Sequence, residues 1–107
     1  MYTVKIMNEF LHGPIWVYNA DGIAMRDFPL IYNDSIIKYL NDRANEMFSA
    51  YYEFESHDQP CWFNSEREKA EKQKMLSIIN KITERLSEIN DGSFTVEDYE
   101  TERLKKM

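Results

Sequence analysis

Ile15-Trp16-Val17-Tyr18-Asn19-Ala20-Asp21-Gly22-Ile23-Ala24-Met25 is the stretch whose reading decides the fold. Its first half places Ile15 and Val17 on one side of an extended chain and Trp16 and Tyr18 on the other, because successive side chains of a strand alternate. Asp21-Gly22 supplies the positive φ angles of a tight turn. Ile23 to Met25 can then return beside the first half as an antiparallel hairpin. Upstream, Tyr2, Val4 and Ile6 alternate with Thr3 and Lys5, the period of a strand with one buried face. Glu9 to Pro14 reads as the loop between them, since His12, Gly13 and Pro14 cannot continue a ladder.

Downstream the period changes to that of helices. Phe28-Pro29-Leu30 breaks the sheet region, and Asn33 or Asp34 can cap a helix over about residues 34–54, lined by Ile36, Leu40, Ala44, Met47, Tyr51 and Phe54. Ser56-His57-Asp58-Gln59-Pro60 has the composition of a loop. Ser65 with Glu68 makes a capping box for a second helix, whose stripe is Met75, Ile78, Ile79, Ile82, Leu86 and Ile89. Asn90-Asp91-Gly92 stops it. Phe94 to Val96 suits a short strand, followed by helix or coil, although the same tail can equally be lined as a helix from Thr95. The expected architecture is α+β: a small antiparallel sheet, made of an N-terminal strand plus hairpin, packed by two long amphipathic helices. Residues 1–107 form one domain on this reading, with no internal repeat, linker or shift in composition.

Composition narrows the function classes. No run approaches the roughly 18 apolar residues of a membrane span, and Met1 to Phe10 alternates where a signal peptide would carry an apolar block. The lone Cys61 rules out an intramolecular disulfide, so the expected location is the cytoplasm. Thirteen Lys and Arg against nineteen Asp and Glu give a net charge of −6, a field that repels phosphate backbones and argues against direct nucleic-acid binding.

Catalytic and ligand-binding signatures are weak. His57, Asp58 and Cys61 lie close in sequence, but nucleophilic triads depend on fixed geometry and oxyanion donors that a solvent-facing loop does not supply. His12 and His57 are the only histidines, without zinc-ligand spacing. Gly13, Gly22 and Gly92 are too far apart for a phosphate loop, and Asn90-Asp91-Gly92 lacks the ligand ladder of a calcium site. The expectation is a chain that is not an enzyme, with no metal and no cofactor.

Three features suit contact with a partner instead. A sheet covered on one side would leave Trp16 and Tyr18 on its open face, unless Phe28, the C-terminal segment or a second copy of the chain covers them. Pro60-Cys61-Trp62-Phe63 concentrates apolar residues between the helices, either as a plug for the core or as an anchor for a partner. Between Glu84 and Glu102, seven acids (Glu84, Glu88, Asp91, Glu97, Asp98, Glu100 and Glu102) face one base, Arg85, either as a solvated surface or as a docking face for a basic partner.

The chain resembles the small acidic immunity proteins that bacteria encode beside secreted or contact-delivered toxins. The resemblance rests on Gly13-Pro14-Ile15-Trp16-Val17, on Asp58-Gln59-Pro60-Cys61-Trp62-Phe63-Asn64 and on Asn90-Asp91-Gly92-Ser93-Phe94. It implies a stoichiometric inhibitor that covers a necessary surface of a cognate toxin, often a nuclease with a basic groove. On that reading Trp16, Tyr18 and Trp62 supply apolar anchors, and Glu97, Asp98, Glu100 and Glu102 steer the encounter with a basic toxin domain. The alternative is a non-catalytic regulatory or scaffold subunit that forms a homodimer through the hairpin face.

Overall fold

The computed structural model describes residues 1–107, apart from the side chain of Ser56. Strands β1 (Tyr2–Ile6), β2 (Ile15–Tyr18) and β3 (Ala24–Met25) form the expected antiparallel unit, with Val4 opposite Val17 and Tyr18 opposite Ala24. The turn is looser than a two-residue hairpin. Asn19 accepts the amides of Asp21 and Ile23 on its side-chain oxygen, and Gly22 alone in this loop takes a positive φ, +79°. A fourth strand, β6 (Phe94–Asp98), lies parallel to β1 with Val4 opposite Val96, so the sheet is mixed with the order β3-β2-β1-β6. The parallel pairing follows from the route of the chain, because β6 returns to β1 only after the whole helical layer has been crossed.

Helix α1 (Pro29–Tyr32) is a single turn that starts on Pro29, where the missing amide costs no hydrogen bond. Helix α2 (Ser35–Ser49) follows, with Asp34 as its cap accepting the amide of Ile37 at 2.9 Å. Its buried stripe is Ile37, Leu40, Ala44 and Phe48, whereas Ile36 is exposed. The helix ends five residues before the sequence-based boundary because Tyr52 and Phe54 belong to a strand. Strands β4 (Tyr52–Ser56) and β5 (Gln59–Phe63) pair antiparallel as a separate two-stranded ribbon. The segment expected to be a loop is thus a hairpin. His57 and Asp58 both adopt positive φ, 55° and 56°, as a two-residue turn of the primed kind requires. Pro60 is tolerated because a two-stranded ribbon has only edges.

Helices α3 (Ser65–Ala70) and α4 (Lys72–Ile89) replace the single second helix, with the break at Glu71. The cap also moves by one residue. Asn64 accepts the amide of Arg67 at 3.0 Å, and its own amide donates to Tyr51 O, so the end of β5 sets the start of α3. Glu68 is therefore not the partner of Ser65; it is 4% exposed and turns to Arg103. After the stop at Asn90-Asp91-Gly92, where Gly92 has φ +92°, β6 leads into helix α5 (Glu100–Lys105).

The core lies between the inner face of the sheet and the helices. Val4, Ile6, Ile15, Val17 and Phe94 meet Ile37, Leu40, Met75, Ile79, Ile82 and Leu86, and Leu104 closes one end. Gly13 fixes the loop between β1 and β2 against α2. Its φ is +90°, and an added Cβ would come within 2.5 Å of the Asn41 amide, whose oxygen accepts from Ile15 N at 3.0 Å.

Candidate functional site

The alternation of β1, β2 and β6 places Thr3, Lys5, Trp16, Tyr18, Thr95 and Glu97 on the face of the sheet turned away from the core. Lys5 stands in the middle of this face, opposite Trp16 on one neighbouring strand and Glu97 on the other. Its ammonium lies 4.9 Å from the centre of the Tyr18 ring. Trp16 is held in place: its indole N–H donates to Met7 O at 3.0 Å, and the His12 ring stacks on it at 3.6 Å. Trp16 and Tyr18 are half-buried within this layer. Phe28 does not cover them, since it stacks on Tyr2 at 4.4 Å and meets Phe94 edge to face, on the core side. Beside Tyr18 a shallow hollow of about 280 Å³ opens among Thr3, Lys5, Asn19 and Glu97.

Trp62 belongs to a different surface. It lies on β5 opposite Glu53, with the His57 ring stacked on it at 3.8 Å, and so is on a separate sheet from Trp16 and Tyr18. Within Pro60-Cys61-Trp62-Phe63 only Phe63 joins the core margin, where it packs on Tyr51, Tyr52 and Phe48. Pro60 and Cys61 are exposed. Cys61 faces Phe54 across the ribbon, while His57 stacks on Trp62, whose side chain points to the opposite side. Among the described residues no three His, Cys, Asp or Glu side chains converge as metal ligands, and no helix is long and apolar enough to cross a membrane.

The C-terminal acids divide into two groups. Glu97 and Glu102 are exposed; Glu97 accepts the hydroxyl of Tyr99, which lifts the Tyr99 pKa, and Glu102 pairs with Lys106 at 3.2 Å. Asp98 and Glu100 serve the fold. Asp98 accepts the amides of Glu100 and Thr101 at 3.0 Å, satisfying the first orphan donors of α5. Glu100 is 3% exposed and is held by Arg103 at 2.9 Å and by the Asn8 amide at 3.0 Å. Arg103 also reaches Glu68 at 2.7 Å, so one guanidinium joins α5 to α3 between two buried carboxylates. Arg85 meets Asp34 at 2.7 Å and Glu88 at 3.0 Å, and holds the Asp34 carboxyl below the ordinary aspartate range. Arg103, Lys105 and Lys106 follow directly and offset the acids before them.

The β4–β5 ribbon is the surface that helical periodicity concealed. Exposure increases along it from buried Tyr51 through half-buried Tyr52 and Phe63 to Phe54, which is 59% exposed. At its base, Phe10 packs on Tyr52 and Phe54. The available signal was the alternation of Tyr52 and Phe54 with Cys61 and Phe63 about a two-residue centre.

No protein-family model matches the chain, and neither a curated protein nor a solved structure is significantly similar to it.

Proposed function

We propose that the chain is a non-catalytic binding protein, a stoichiometric inhibitor of the immunity type that occupies a basic domain of a cognate toxin. The observation that carries the reading is the open outer face of the four-stranded sheet. Trp16 is fixed there by a hydrogen bond and a stacked ring, and Tyr18 lies beside it with Lys5 and Glu97. Rigid aromatic side chains lose little conformational entropy on binding and are favoured anchors of protein interfaces. Glu97 at the rim of this face and Glu102 on α5 are the two acids of the expected steering set that remain exposed.

The test is recovery of a complex with a tagged copy from the native host, followed by calorimetry on the purified pair. A one-to-one complex with a basic protein is expected, weakened at least tenfold by Tyr18→Ala and more weakly formed as salt rises. A partner that binds Tyr18→Ala with unchanged affinity removes the sheet face from the interface. A concentration-dependent dimer of the chain, with no other protein recovered, favours the regulatory or scaffold subunit.

A further inference from the structure

We infer that the β4–β5 ribbon is a docking arm for a basic protein surface, distinct from the sheet face, with Phe54 as its apolar contact and the exposed Glu55 and Asp58 as the charge that selects the partner. The inference rests on the reading of the chain as a binding protein and names a second element of its interface. Three observations support it. Residues 52–63 contain three carboxylates and neither Lys nor Arg, so half of the net charge of −6 is concentrated on this one hairpin. Glu55 and Asp58 are exposed and have no cationic partner among the described residues, in contrast to Glu68, Glu100 and Asp34. The apolar side chains of the arm are more numerous than a solvated ribbon needs: Phe54 is 59% exposed, and Pro60 and Cys61 are exposed beside it.

A two-stranded ribbon has little stability of its own, and this one is held at its base by Tyr52, Phe63 and Phe10. Further out, Phe54 meets Phe10 on one side and is otherwise 59% exposed, so most of its ring is left for a partner to cover. Charge chooses the occupant. Two copies meeting arm to arm would bring six carboxylates together, and a phosphate backbone would meet three, both unfavourable in a partly desolvated contact. Lys or Arg side chains on a protein would instead pair with the carboxylates, and an Arg can also lie flat against an aromatic ring.

The probe is a twelve-residue peptide of alternating Arg and Leu, with an Asp-Leu peptide as its counterpart, titrated into the 15N-labelled full chain. Saturable shift changes confined to residues 53–62 are expected with the basic peptide, and none with the acidic one. Glu55→Lys with Asp58→Asn, which retains a residue tolerant of positive φ in the turn, should raise Kd at least tenfold, as should Phe54→Ser. Asp42→Asn with Glu84→Gln, exposed carboxylates on α2 and α4, should change it less than twofold. Shift changes that fall on the outer sheet face, equal binding of the two peptides, or no saturable change up to millimolar peptide would each overturn the arm. The same variants separate this inference from the reading beneath it. If the complex recovered from the host keeps its affinity when Glu55, Asp58 and Phe54 are changed, the arm alone is rejected; if no complex forms with the unaltered chain, the binding function fails as well.

Discussion

The C-terminal segment, residues 84–107, and the β4–β5 arm, residues 52–63, are both acidic in sequence, yet they use their carboxylates in opposite ways. In the first, Asp98 satisfies helix amides, Glu100 is buried against Arg103 and Asn8, Glu88 pairs with Arg85 and Glu102 with Lys106. In the second, Glu55 and Asp58 point into solvent on a ribbon without a single Lys or Arg. The comparison teaches that a run of acids becomes a field for a partner only where the fold leaves it unpaired. Much of the longer run has been absorbed into structure, with Glu97 and Glu102 left at its surface, whereas on the arm Glu53 accepts from Asn64 and Glu55 and Asp58 stay in solvent.

The largest effect that would sharpen this contrast is expected from Arg103→Met. Removing the guanidinium leaves Glu68 and Glu100, 4% and 3% exposed, without their cation. The loss should be roughly 2–3 kcal/mol, below that of a fully buried pair because Arg103 itself keeps contact with water. Urea unfolding measures it, and a change under about 0.5 kcal/mol would mean that the C-terminal acids are as idle as those of the arm.

Asp34→Asn should come next, at about 1 kcal/mol near neutral pH, since Asn retains the cap and only the charged contact with Arg85 is lost. Its pH dependence carries a sign. Arg85, followed by the amide of Ile37, holds the Asp34 carboxyl below its unfolded value, so the contribution is fully present above about pH 4 and is lost as pH falls through the lower folded value. Stability of the Asn variant should therefore fall less steeply than that of the parent below pH 4. Parallel acid limbs would show that this carboxylate is not coupled to folding.

Asp98→Ala removes the acceptor of the first two α5 amides and should cost about 1 kcal/mol, with faster amide exchange at Glu100 and Thr101. The smallest effect is expected on the arm. Glu55→Lys with Asp58→Asn should leave unfolding free energy within about 0.5 kcal/mol, because neither side chain has a cationic partner to lose. A loss comparable to that of Arg103→Met would erase the contrast between the two regions.

Part of this was legible from the amino acids. The alternation in Tyr2 to Ile6 and Ile15 to Tyr18, the stripe from Met75 to Leu86 and the stop at Gly92 became β1, β2, α4 and the helix end. The reading failed where two periods competed. Phe54 fits both a helix stripe extended from Ala44 through Tyr51 and a strand in which Tyr52 and Phe54 face Phe63 and Cys61, and the backbone bond from Asn64 N to Tyr51 O belongs to the second arrangement. The cap at Ser65 failed for a related reason, since Asn64 was already tied to β4 and could start the helix one residue earlier.

By itself, then, the sequence determined the α+β class, the buried stripe of the long helix and the excess of acid over base, because these depend on local period and on counting. Which carboxylates remain available, which aromatic rings share a surface and whether residues 52–63 continue a helix or form a ribbon were decided only by tertiary structure. Arg103, thirty-five residues from Glu68 in the chain, chooses the partners of two acids that no local pattern connects. Long-range pairing of this kind leaves no period in the sequence, and that is the physical reason the surface had to be read from the fold.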